Sequence, residues 1–190
     1  MKPLMKRGLF ERSPLNRGMR GGMASRIIGP WDWILAPALI SLAATIVLAT
    51  AFQPLGLYLP EPVTPLLLAF AWPLIRPSYI APFVLGGLGI FLDFFWGAPL
   101  GFWTLNLMLV YAVLVFARTY IIGQDWLVVF GVFLLTELVF FGLCTVVMSI
   151  DTGSVPRLFG VFEQAFATTL FFPAVWYLME KYLHADVRFQ

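Results

Sequence analysis

The sequence predicts an all-α, polytopic membrane protein: a bundle of six transmembrane helices with a short, proline-rich second span. Three observations predict it. Apolar residues make up 61% of the 190 and charged residues 12%, where a soluble domain carries about a quarter charged. From Trp33 onward the chain is nearly consumed by apolar runs, most of them close to the roughly 20 residues that cross a hydrocarbon core. Between the runs lie basic residues, tryptophans and tyrosines, the side chains expected at membrane surfaces.

Residues 1–30 are basic, glycine-rich and non-periodic, and read as a largely disordered tail. Seven of the twelve basic residues (Lys2, Lys6, Arg7, Arg12, Arg17, Arg20, Arg26) lie there; they fix orientation, or bind anionic lipid head groups. Residues 31–184 form the six-helix domain and 185–190 a second short tail. Trp31 and Trp33 mark the entry into the membrane, and span one covers Ile34–Phe52. Ala49-Thr50-Ala51 has the small-residue pattern of a signal-peptidase site. The apolar stretch before it is longer than a signal core, so a retained anchor is expected. Gly56–Ile75 contains Pro60, Pro62, Pro65 and Pro73, which leaves only Thr64–Ile75 for regular helix; such a thinned element must be buried among other helices. Span three runs Tyr79–Trp96, span four Pro99–Ala117, span five Trp126–Ile150 and span six Phe159–Met179.

Basic residues set the orientation. With six crossings and a cytoplasmic N-terminus, eleven of the twelve fall on the cytoplasmic side and only Arg157 outside. Were Thr64–Ile75 not to cross, Arg76, Arg118, Lys181 and Arg188 would all move outside. Both termini are therefore expected in the cytoplasm, with Trp96 and Trp103 near the outer interface and Tyr79, Trp126, Trp176 and Tyr182 near the inner one.

The stretch Gly86–Asn106 organises the chemistry. It is an apolar run with one carboxylate, Asp93, then a Gly97-Ala98-Pro99 break and a second apolar run. A charged residue inside such a run is costly and hence a candidate functional site. Gly89, Asp93 and Gly97 recur every four residues, one narrow helical stripe on which another backbone can come close. With Gly86, Pro99, Gly101 and Asn106 they form the candidate partner-docking set. Asp93 has two readings: a hydrogen-bonded acid stapling spans three and four, or a docking point for another protein, reachable by water one turn below the surface. Trp103 or Thr104, rather than Asn106, falls level with it. Glu137 lies mid-span, where an interhelical hydrogen bond is expected. Glu163 and Gln164 open span six, with Arg157 close enough to pair with the acid.

What is missing narrows the function. One histidine, His184, and one cysteine, Cys144, exclude a histidine-based metal cluster, a catalytic dyad and a disulfide framework within one chain. No phosphate-cradling loop is present. No enzyme, cofactor, metal or nucleic-acid role is expected.

The stretch Gly87-Leu88-Gly89-Ile90-Phe91-Leu92-Asp93, followed by Gly97-Ala98-Pro99-Leu100-Gly101, resembles the rod shape-determining protein MreD family, as do the short second span ending in Trp72-Pro73 and the chain length. The resemblance covers roughly 34–183; the long basic tail and Glu137 lie outside its pattern. It implies a non-enzymatic component of the bacterial inner membrane that binds the bitopic protein MreC. Through MreC it would join MreB filaments, RodA and a class B penicillin-binding transpeptidase, coupling the filaments to peptidoglycan synthesis and rod shape. The family also resembles in fold the substrate-binding subunits of energy-coupling-factor vitamin transporters, so the alternative is a small-molecule-binding transporter subunit. Such a subunit needs a pocket with convergent polar groups, whereas the turn at 97–99 is minimal.

Overall fold

The computed structural model describes residues 26–29, 31–49, 61–183 and 187–189. They form seven α-helices: α1 (Ala36–Ala49), entered through a π-helical turn at Trp31–Leu35, α2 (Thr64–Ile75), α3 (Ile80–Phe95), α4 (Phe102–Ile121), α5 (Trp126–Thr152), α6 (Leu158–Leu170) and α7 (Phe172–Leu183). Four segments are long and apolar enough to cross a membrane: Trp31–Ala49, Phe102–Ile121, Trp126–Thr152 and Leu158–Tyr182. Thr64–Ile75 and Ile80–Phe95 are shorter apolar helices. The lipid-type faces are apolar throughout, from Leu39 and Ile40 on α1 to Phe83 on α3, Phe116 on α4 and Leu138 on α5. A helical membrane protein is what this surface fits.

The bundle is built around α2. All twelve of its residues are buried, so a helix that is apolar on every side sits where none of its faces meets solvent. α1, α3, α4 and α7 pack around it. Pro65 falls within its first turn, where a missing N–H costs nothing. Ahead of it, residues 61–63 are irregular, with Thr64 N donating back to the Pro62 carbonyl at 3.0 Å, and hydroxyls meet the backbone there. Thr168 Oγ1 accepts the Val63 N–H at 3.0 Å. Thr64 Oγ1 donates to the Ser41 carbonyl at 2.9 Å and lies 2.7 Å from Thr45 Oγ1. Irregular backbone inside a bundle is tolerated on those terms.

One sequence expectation is corrected. The sixth apolar segment is two helices, broken at Phe171, because Pro173 has no N–H and its ring opposes the carbonyl one turn back. Trp103, expected near the outer interface, is packed against its own chain, its ring 4.8 Å from Trp96 and 5.9 Å from Phe140, centroid to centroid. The two ends of the bundle also meet. Arg26–Ile28 (β1) and Val187–Phe189 (β2) pair as two parallel strands. Tyr182 Oη also reaches the Asp32 carbonyl at 3.5 Å, so the start and end of the bundle lie side by side. Residues 1–25 and the Thr50-Ala51 part of the small-residue motif fall outside the described residues.

Candidate functional site

The α3–α4 hairpin is held by Asp93. Its carboxylate accepts the Gly101 N–H (2.8 Å, Oδ2), the Trp103 N–H (2.8 Å, Oδ1) and the Thr104 hydroxyl (3.1 Å, Oδ2). Trp103 is the second residue of α4, so its N–H is one of the donors with no partner inside that helix. Gly101, at the capping position with φ 92°, brings no side chain to do this. An acid from the neighbouring helix caps α4 instead, at the positive end of its dipole. The main chain closes the same turn, with Ala98 N donating to the Asp93 carbonyl at 2.9 Å. Gly97 (φ 63°) and Gly101 both need the left-handed backbone that glycine adopts freely.

Gly89 sets the spacing. A Cβ there would lie 2.7 Å from Thr104 N and 2.8 Å from Thr104 Oγ1, so the helices touch backbone to backbone at this point. The stripe of small residues is therefore covered by α4 itself. Asp93 is 1% exposed and out of reach of water, because its oxygens are aimed at amides of its own chain. Asn106, also buried, donates to the Phe102 carbonyl at 2.8 Å and does not meet Asp93. Of the docking set, Gly86 (half-buried, with nothing within 4 Å of a Cβ), Gly97 and Pro99 stay at the surface.

Glu137 is buried on α5 at 4% exposure and accepts a 2.6 Å hydrogen bond from Thr169 Oγ1 of α6 on Oε2. Its other oxygen, Oε1, is buried without a partner among the described residues. Glu163 and Arg157 do not pair; both are exposed. Arg157 precedes α6 and Glu163 is that helix's sixth residue. Six residues at about 100° each leave the two about 120° apart around the axis, and Arg157 itself lies outside the helix. Glu163 is therefore also too late to serve in the first turn. Gln164 is half-buried and borders a cleft of about 190 Å³ beneath the 97–101 turn, lined mainly by Trp96, Phe102, Trp103, Phe141 and Cys144.

Sequence reasoning passed over two features. Trp96 Nε1 donates to Glu61 at 2.7 Å, tying the segment before α2 to the end of α3. The second is the Ser41, Thr45, Thr64 and Thr168 hydroxyl set that receives the start of α2. Ser41 and Thr45, four apart in an otherwise apolar run, were its visible signal. Among the described residues no His, Cys, Asp and Glu group could hold a metal. Comparisons with protein-family models, curated proteins and solved structures found no match.

Proposed function

We propose that the protein is a non-enzymatic scaffold of the bacterial elongation machinery, similar to the MreD family, which binds MreC in the inner membrane. Through MreC it would help link MreB filaments to RodA and a class B penicillin-binding transpeptidase. The observation that carries this reading is the hairpin. Each residue of the Gly89, Asp93, Gly97 and Gly101 pattern behind the resemblance has a geometric task in one compact turn, so the pattern specifies a structure and is not a chance of composition. Directly under that turn there is little room for the ligand that the vitamin-subunit alternative needs. At about 190 Å³ the cleft there is below the roughly 300–1,000 Å³ of small-molecule sites, and its lining is mostly apolar.

Six crossings with both ends in the cytoplasm fit the same reading. The adjacency of Asp32 with Tyr182 and of β1 with β2 supports an even number of crossings over the five-span arrangement. The twelve residues of α2 rise about 18 Å. That is short of the roughly 30 Å hydrocarbon thickness, which suits a span buried among other helices.

Recovery of the tagged full-length chain in mild detergent tests the proposal. MreC is the expected companion, and depletion in a rod-shaped host is expected to round the cells. Paired ATPases with a coupling subunit, and a nutritional defect, would establish the transporter alternative instead.

A further inference from the structure

We propose that the groove between α5 and α6 is a docking site for a single transmembrane helix of another protein, one carrying a hydrogen-bond donor at mid-membrane depth, with Glu137 as the anchor. The proposal rests on the scaffold reading only in taking the chain to bind another membrane protein.

The groove encloses about 610 Å³ along the lipid-type face of the two helices. Small or polar residues, Glu137, Gly142, Thr145, Ala165 and Thr169, line it beside apolar ones such as Phe141 and Val161. A Cβ on Gly142 would meet nothing within 4 Å, so a foreign backbone can approach there as small-residue interfaces allow. Leu138 and Phe166, 68% and 66% exposed, form opposite rims. Small residues alone would describe any helix packing; Glu137 adds direction. It is the twelfth of the 27 residues of α5, about 17 Å from that helix's start, and half of its carboxyl group is unsatisfied. An unmatched polar atom at that depth is expensive unless something supplies a partner.

The occupant follows from what could supply one. A lipid chain has no donor at that depth, since its polar groups lie roughly 15 Å away at the surface. The outward mid-helix residues of α1, α3 and α4, such as Ile40, Ile90, Leu109 and Val113, are apolar, so those faces of a second copy offer none either. A foreign helix with one Ser, Thr, Asn, Gln, Lys or Arg among small residues satisfies both the shape and the acid.

The test places a photocrosslinking residue at Leu138 or Phe166 of the full-length chain in cells, with Phe83 and Phe116 as controls on other exposed faces. Adducts are mapped by mass spectrometry. The expected product joins a rim position to a transmembrane segment of another protein, with a donor side chain within one turn of the link. Its yield should fall about three- to tenfold in Glu137→Leu, the value of one interhelical hydrogen bond, and be retained in Glu137→Gln. Gly142→Leu, which fills the groove, should abolish it and decides the matter if Glu137→Leu does not fold. Adducts to lipid alone, to a second copy, to segments without a donor, or with yields indifferent to Glu137 would overturn the proposal. MreC recovered with the chain but never linked at the rims would remove the groove and leave the scaffold reading intact. A qualifying adduct without MreC recovery would do the reverse.

Discussion

The α3–α4 hairpin and the α5–α6 pair each bury one carboxylate, and they treat it in opposite ways. Asp93 has both oxygens matched by donors of its own chain within 3.1 Å, and its helices touch at Gly89 with no side chain between them. Glu137 has one oxygen matched and one orphaned, and its helices diverge around an open groove. Burial is alike in the two cases. The difference is whether the fold itself completes the hydrogen bonding. A completed acid is part of the structure; an incomplete one is an invitation to something outside it.

That contrast makes substitutions in the hairpin costly to folding. Gly89→Leu should have the largest effect, above about 3 kcal/mol, since no rotamer avoids the Thr104 backbone. Unfolding by graded SDS in mixed micelles reads it directly. Gly87→Leu, two residues away and facing open space, should change stability by less than about 1 kcal/mol. Equal effects at the two glycines would mean that the close crossing is not there.

Asp93→Ala comes next, at about 2–4 kcal/mol, because it strands the Gly101 and Trp103 amides inside the bundle. Asp93→Asn keeps one acceptor oxygen and should recover about half of that loss in the same titration. Thr104→Val removes only one of the three bonds to the acid and should cost about 1 kcal/mol. If Thr104→Val were as severe as Asp93→Ala, the capping of α4 would not be what Asp93 does.

Much of this hairpin was legible in the sequence. The four-residue recurrence of Gly89, Asp93 and Gly97 identified the face, and helix geometry put Trp103 and Thr104 level with the acid. Its direction was not legible. A stripe of small residues reads the same whether the helix laid on it belongs to the same chain or to another, because periodicity carries no information about the partner. α2 was fixed by its prolines, and its bounds emerged as Thr64–Ile75. The helix break at Phe171 was written in Pro173 but masked by an unbroken apolar run. Glu61 was hidden by the prolines around it, since its role depends on Trp96, 35 positions away. Local chemistry found the elements; pairings set by tertiary packing had to be seen.

The smallest expected effect is the most discriminating. Glu137→Leu should leave the isolated protein as stable as the wild type, or up to about 1 kcal/mol more stable. It removes an orphaned buried oxygen, whose desolvation offsets the single bond from Thr169. Thr169 loses its acceptor, but its hydroxyl can turn to the carbonyl one turn back in its own helix, as Thr168 does toward Gln164 at 2.8 Å. The same SDS titration checks it, beside Asp93→Ala as the contrasting acid. A loss above about 2 kcal/mol would show that Glu137 holds α5 to α6 as Asp93 holds α3 to α4, and the two regions would no longer differ in kind. A neutral result on stability, with Leu138 and Phe166 adducts depleted in the same variant, separates an acid kept for the fold from one kept for a partner.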